Sequence, residues 1–235
     1  MTENLHLLLP EIVLAALAIL ILAVDLFIPE RFKSMLPWLS IVGLGGIMGL
    51  SVALLWGENT LLYGGLVSAD SYSLFFKIFF FALGGVIVFI SNDYVKKYLH
   101  SPGEFYAIII FAILAMVIMA ESVELLTAYI ALELMSFCFY ILVAYARTNR
   151  KSNEAGVKYV LIGAFSSAIL LYGISLLYGA VGETRFSGIE KELTIAIANS
   201  GSVSPSLWIG LALILVGLGF KIAAVPFHMW APDTY

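Results

Sequence analysis

The sequence predicts an all-α polytopic membrane protein with seven transmembrane helices, and three observations predict it. Hydrophobic residues fill 62% of the 235 positions and charged ones 12%, with a mean hydropathy of +1.02, whereas a soluble domain is about 25% charged. Seven mostly apolar runs have the roughly 17–25 residues that a membrane helix needs. Lys and Arg gather in alternate connections between those runs.

The runs fall at 7–28, 36–56, 72–91, 105–121, 124–146, 155–179 and 206–228. The first is interrupted only by Glu11 near its start and Asp25 near its end, and stops at Pro29. It is too long for the apolar core of a signal peptide, which spans about 7–15 residues and follows a basic segment; no Lys or Arg precedes Arg31. The second is rich in glycine, with Gly45 and Gly49 spaced for close helix approach. The third is heavy in phenylalanine and carries Lys77 near one end, where the simplest expectation is a snorkelling side chain. The fourth and fifth meet in the short turn Glu121-Ser122-Val123-Glu124, which makes them an antiparallel hairpin. The long polar connection from Gly182 to Ser204 has an amphipathic part, 189–198, expected to lie on the membrane surface. After the seventh run, Trp230 to Tyr235 resembles the entry to another helix, with Asp233 as its cap, and predicts a chain that forms the front part of a longer protein.

Charge orients the bundle. Arg31 and Lys33 follow the first run, Lys96 and Lys97 the third, and Arg147, Arg150 and Lys151 the fifth, while the connections after the second and fourth hold neither residue type. By the positive-inside rule the N-terminus lies outside. The connection after the sixth run fits poorly, with Arg185 and Lys191 among three glutamates. A net charge of −4 and no basic cluster argue against nucleic-acid binding. The single cysteine, Cys138, excludes an intrachain disulfide and a cysteine metal cluster, and His6, His100 and His228 show no metal-ligand spacing. No nucleophile–base pair or glycine-rich phosphate loop is present, so the chain offers no hydrolytic or redox chemistry.

The residues that stand out are charges inside apolar runs. Such charges are costly and are functional hypotheses by default. Glu133 sits near the centre of the fifth run, on a stripe with Tyr129, Ser136 and Tyr140. Lys221 lies on the inner half of the seventh, on a face with Gly217, Ala224 and His228, and Pro226 breaks the helix just beyond it. Lys158 lies about one turn into the sixth, four residues after Glu154, followed by Gly163, Ser166 and Ser167. Each has a structural reading: an ion pair or hydrogen-bonded carboxylate that fastens helices, or an interfacial lysine. Each also has a functional one. Titratable groups on three successive spans are what a proton relay needs, and a broken helix beside one of them is a device that transporters often use.

Several stretches carry a resemblance. Ala131-Leu-Glu133-Leu-Met-Ser, Glu154-Ala-Gly-Val-Lys158-Tyr with Gly163-Ala-Phe-Ser-Ser, and Gly219-Phe-Lys221-Ile-Ala-Ala-Val-Pro226-Phe-His228-Met-Trp-Ala-Pro232-Asp233 resemble the antiporter-like membrane subunits of complex I, NADH-quinone oxidoreductase. Asp70-Ser-Tyr-Ser-Leu-Phe-Phe adds to the likeness, which runs from about residue 10 to the end. Leu132, where a tryptophan usually stands, marks a departure from the stand-alone multisubunit cation/proton antiporters of the same family.

The resemblance implies a fold of about fourteen helices with two inverted five-helix repeats. Residues 1–100 would form an N-terminal three-helix segment, and 101–235 the start of the first repeat, ending before its last helix. It implies a proton relay through Glu133, Lys158, Lys221 and His228, with the helix break at Pro226. It also implies that NAD, FMN, iron–sulfur clusters and quinone sit on partner subunits. The partners would be other membrane-arm subunits, and the location the bacterial inner membrane. A stand-alone cation/proton antiporter subunit and a non-transporting membrane scaffold are the alternatives.

Overall fold

The computed structural model describes residues 5–99, 101–200 and 204–234; His100 lies outside them. The chain is a helical, multi-pass membrane protein. Its helices are α1 (Leu9–Phe27), α2 (Leu36–Leu55), α3 (Ser71–Tyr98), α4 (Pro102–Glu121), α5 (Leu125–Val143), α6 (Arg150–Val181), α7 (Phe186–Ser200), α8 (Pro205–Lys221) and the short α9 (Ala231–Thr234). The first six, α1 to α6, are long and apolar enough to cross a membrane, and α8 is a shorter apolar helix of 17 residues.

Local chemistry sets the helix starts. Pro10, Pro37, Pro102 and Pro205 sit in the first turns of α1, α2, α4 and α8, where a missing N–H leaves no intrahelical bond unmade. Asp70 opens α3 with a capping box: its carboxylate accepts from the Ser73 amide at 2.8 Å, and the Ser73 hydroxyl accepts from the Asp70 amide at 2.9 Å. Asn149 caps α6, and Gly182 ends it in the left-handed conformation at φ 76°.

Apolar-run lengths understate α3 and α6. Both continue beyond the apolar stretch, to Tyr98 and from Arg150, because the polar residues there include no breaker and a membrane helix need not stop at the lipid boundary. Helix α7 spans the segment expected to be amphipathic.

The N-terminal core joins α1 to α4. Leu14, Ile21, Leu44, Phe81, Val88 and Ile110 are fully or almost fully buried there. Gly43 meets Leu17 and Gly84 meets Ile113, so small residues do bring these helices together. Gly45 and Gly49, the pair singled out by spacing, face open space instead.

One feature has no counterpart in the apolar pattern. Between α2 and α3 the chain forms an antiparallel hairpin, β1 (Thr60–Leu62) and β2 (Val67–Ala69). Its loop holds Tyr63, Gly64 and Gly65 at positive φ. The hairpin lies against two other connections. Val123 N–H donates to Leu66 C=O, Leu125 N–H to Thr184 C=O, Phe186 N–H to Val123 C=O, and the Arg185 guanidinium to Gly64 C=O. The α2–α3, α4–α5 and α6–α7 connections are thus stitched into one cap across one end of the bundle. Glu124 anchors the α4–α5 connection within it. Its carboxylate accepts from both the amide and the hydroxyl of Thr127 at 2.6 Å. Burial pushes the Glu124 carboxyl up, but these bonds outweigh it and hold it below its ordinary value.

Candidate functional site

Helices α6 and α8 make the closest contact in the C-terminal part, and small residues allow it. A Cβ on Gly173 would lie 2.8 Å from the Gly210 carbonyl oxygen and from the Ile214 amide nitrogen, and one on Gly210 would lie 3.1 Å from the Gly173 carbonyl oxygen. Gly217 lies against Leu170 in the same seam, and the Ser166 hydroxyl donates across it to the Gly217 carbonyl at 3.1 Å. This contact carries Lys221, the last residue of α8, to the face of α6 that holds Ser167.

Helix α5 supplies the counter-charge. Glu133 lies near the midpoint of its 19 residues. The Lys221 ammonium is 3.1 Å from Glu133 Oε1 and donates to the hydroxyls of Ser136 at 2.7 Å and Ser167 at 3.2 Å. Ser167 Oγ in turn lies 2.7 and 2.8 Å from the two Glu133 oxygens and donates to that carboxylate. Both charged side chains are largely buried, with 8% and 14% of their surface exposed. A pair so placed is neutral as a unit, which offsets part of the large cost of removing either ion from water.

The chain leaves the helix immediately after Lys221. Pro226 cannot donate to the carbonyl four residues back, and its ring disfavours helical geometry at Val225; Ala223 has already left the helical region at φ 52°, so α8 ends at Lys221, short of the expected 228. The carbonyls freed at this end are reused. Gly219 C=O accepts from the Ala224 amide at 2.8 Å, and Phe220 C=O from the Trp230 indole at 3.1 Å. Trp230 stacks on Tyr159 with ring centroids 4.5 Å apart, and Tyr159 meets Tyr140 edge-on at 4.7 Å. An aromatic string therefore ties the unwound segment to α6 and α5. The helix C-terminus at Lys221 also places the partial negative end of α8 beside the ammonium, a favourable arrangement.

The other expected site residues are not joined directly to this pair. Lys158 is half-exposed, 3.0 Å from Glu154 Oε1 and 3.1 Å from Asp233 Oδ2. His228 is exposed in the segment after the break, and Pro226 is exposed beside it. Among the described residues, no hydrogen bond or ion pair links His228 or Lys158 to Lys221 or Glu133. Ser167 and Asp233 have site contacts that the sequence reading left unassigned. At the turn after α5, the Tyr145 hydroxyl donates to Ser101 C=O at 2.7 Å; burial and then the adjacent Glu104 carboxylate push its phenol well above the ordinary value.

Lys77 requires a correction. It does not snorkel: it is 2% exposed and lies 2.6 Å from Glu11 Oε1 and 2.5 Å from Glu121 Oε1. The ion-pair partners come from helices far apart in sequence, which a rule about distance from the helix end cannot see. The available signal is phase: the start of span one, the start of span three and the end of span four all reach the same end of an alternating bundle.

Residues 122–235 match the family described as NADH:quinone oxidoreductase/Mrp antiporter, TM. The chain is 42% identical over 234 residues to NADH-quinone oxidoreductase subunit N of Trichlorobacter lovleyi, covering 100% of this chain and 47% of that one. It is 42% identical over 232 residues to the subunit of the same description in Moorella thermoacetica, covering 99% and 47%. Among solved structures, a chain of respiratory complex I from Thermus thermophilus with bound aureothin superposes with a TM-score of 0.74 at 28% identity, over 97% of this chain and 47% of that one. The chain thus spans about half the length of the curated relatives it matches. With its buried Glu133–Lys221 pair at a broken helix, the chain is similar along its whole length to NADH-quinone oxidoreductase subunits N, and its residues 122–235 to the NADH:quinone oxidoreductase/Mrp antiporter family of membrane subunits.

Proposed function

We propose that the chain is part of a proton-translocating membrane-arm subunit of NADH-quinone oxidoreductase, in which Glu133 and Lys221 form the switchable charge pair of a half-channel. The single observation that carries this reading is the Lys221 ammonium 3.1 Å from Glu133 at the end of a broken helix, donating also to the hydroxyls of Ser136 and Ser167. A pair of this kind has two states. Closed, the carboxylate stabilises the ammonium; opened by a few ångströms, the lysine loses that partner in a medium of low dielectric and yields its proton more readily. Each tenfold change in proton affinity requires about 1.4 kcal/mol, and separation of charges that are weakly screened readily supplies it.

In this reading Lys158 connects the pair to inner water. Its half-exposed position between Glu154 and Asp233 supports that role. His228 accepts or gives protons at the solvent side of the unwound segment, where it is exposed, and Pro226 keeps that segment out of helix. Residues 1–100 form a three-helix support and 101–235 the beginning of the first repeat. NAD, FMN, iron–sulfur clusters and quinone are bound by partner subunits, and electron transfer there drives the opening. The partners are other membrane-arm subunits, and the setting is the bacterial inner membrane with the N-terminus outside; the alternation of Lys and Arg between spans supports that orientation.

The experiment is made in the complete enzyme. Lys221→Ala or Glu133→Ala should abolish or strongly reduce quinone-coupled proton pumping, measured by a pH-sensitive dye in vesicles, while the assembled complex remains detectable. Pumping at the normal rate with either substitution would show that the pair only fastens helices.

A further inference from the structure

The cluster of Glu11, Lys77 and Glu121 lies apart from the Lys221 pair, on three other helices, and nothing in the relay uses it. Its members are 8%, 2% and 2% exposed. One ammonium contacts two carboxylates, at 2.6 and 2.5 Å. The two contacting oxygens are therefore no more than about 5 Å apart, inside the range where like charges oppose each other's ionisation.

Among the described residues, Lys77 is the one cation paired with either carboxylate; Arg185 in the adjoining cap is bound to Gly64 C=O, and Asp70 at the start of α3 is engaged by Ser73. Helix α2, packed against this group, has no charged residue, and neither does the β hairpin. Helix α5 contributes Glu133, which is engaged by Lys221, and Glu124 at its cap is engaged by Thr127. The remaining charges of α1, α3 and α4, namely Asp25, Asp93, Lys96, Lys97 and Glu104, lie at the opposite ends of those helices. His6, in the short turn before α1, is exposed. A second observation points the same way. Among the described residues, both oxygens of Glu11 and Oε1 of Glu121 are buried with no hydrogen-bond partner beyond the ion-pair contact of Lys77.

We propose that this triad is a single-proton binding site: one proton is held between Glu11 and Glu121, while Lys77 neutralises the remaining carboxylate. With one proton the group has no net charge; without it, a buried carboxylate lacks a counter-ion, at a cost of several kcal/mol. A metal cation does not fit this role, because the Lys77 ammonium already occupies the position between the oxygens. Helix polarity assigns the proton. Glu11 is in the first turn of α1, at the partial positive end, and Glu121 is the last residue of α4, at the partial negative end. An anion is stabilised at the former and opposed at the latter, so Glu121 carries the proton and Glu11 the charge.

The test is infrared spectroscopy of the complete complex in H₂O and D₂O at neutral pH, which reads protonated carboxyl groups directly and does not depend on pumping. Wild-type protein should show a carboxylic-acid C=O band that Glu121→Gln lacks. Glu11→Gln should lack it too, since Glu121 is then ionised as the sole partner of Lys77. Glu121→Asp, which keeps the acid, should shift the band without removing it, and serves if the amide variants fail to assemble. A band unchanged in Glu121→Gln, or in the Asp variant, overturns the proposal. The result is independent of Lys221→Ala, whose effect on pumping tests the relay alone.

Discussion

At the scale of single residues, a charge was legible where it was alone and far from either end of its apolar run. Glu133 and Lys221 stood out for that reason, and they do meet; Lys77, alone but near an end, was misread. Ser167 did not stand out, because hydroxyls in membrane helices commonly bond the carbonyl one turn back, as Ser40, Ser51 and Ser136 do here. Only the arrival of α8 gives Ser167 its place between the two charges. Glu124 was read as part of a turn, with no sign that it caps a helix. Its carboxyl lies below the ordinary value in the folded chain, so its stabilising contribution is present above the carboxylate range of the unfolded chain and is lost as pH falls through the folded value. Thermal unfolding followed against pH should therefore show an acid-side loss of stability that Glu124→Gln flattens. Glu124→Ala should cost about 1 kcal/mol at neutral pH, as loss of a helix cap does.

Among the elements, the spans themselves were legible from hydropathy, but their ends were not. Helix α8 shows why. Its apolar run continues to His228, yet the α-helix ends at Lys221, and no hydropathy scale registers a backbone turn at Ala223 or a missing N–H at Pro226. The hairpin β1–β2 was hidden for a related reason: its strands are three residues each, too short for an alternating pattern to register, and its pairing depends on three positive-φ loop residues. The glycines of the α6–α8 seam were visible, but which of them touch was not. Gly173→Ala should push α6 from α8, because the atoms in its way are backbone, and should destabilise the protein by about 1–3 kcal/mol as overpacking does. Gly179→Ala, on the same helix but facing open space, should be neutral or stabilising by up to about 1 kcal/mol, the helix preference of alanine. Thermal unfolding of the two variants side by side checks the contrast.

For the molecule as a whole, the fold class and the helix order were open to the sequence, and the links between distant connections were not. Those links depend on backbone groups, which every residue carries and no residue type announces. Arg185 illustrates the gap: by charge it was a poor fit to the loop pattern, whereas its guanidinium is bound to Gly64 C=O of the hairpin. Arg185→Ala should raise amide hydrogen exchange across Gly64 to Leu66 and at Val123, measured by mass spectrometry, with little change in α1 or α2. The cap also has a mechanical side. It clamps one end of the helix array, while at mid-length the array has an interrupted rod, and at the far end a half-exposed contact between Lys158 and Asp233. An array clamped at one end behaves as a set of levers on a common pivot, and displacement grows with distance from it. The Glu11–Lys77–Glu121 group sits next to the pivot, where the Ser68 hydroxyl donates to the Glu121 carbonyl, and on this geometry should move least. The Lys221–Glu133 pair sits part-way along the levers, where a small angular swing becomes a change in charge separation.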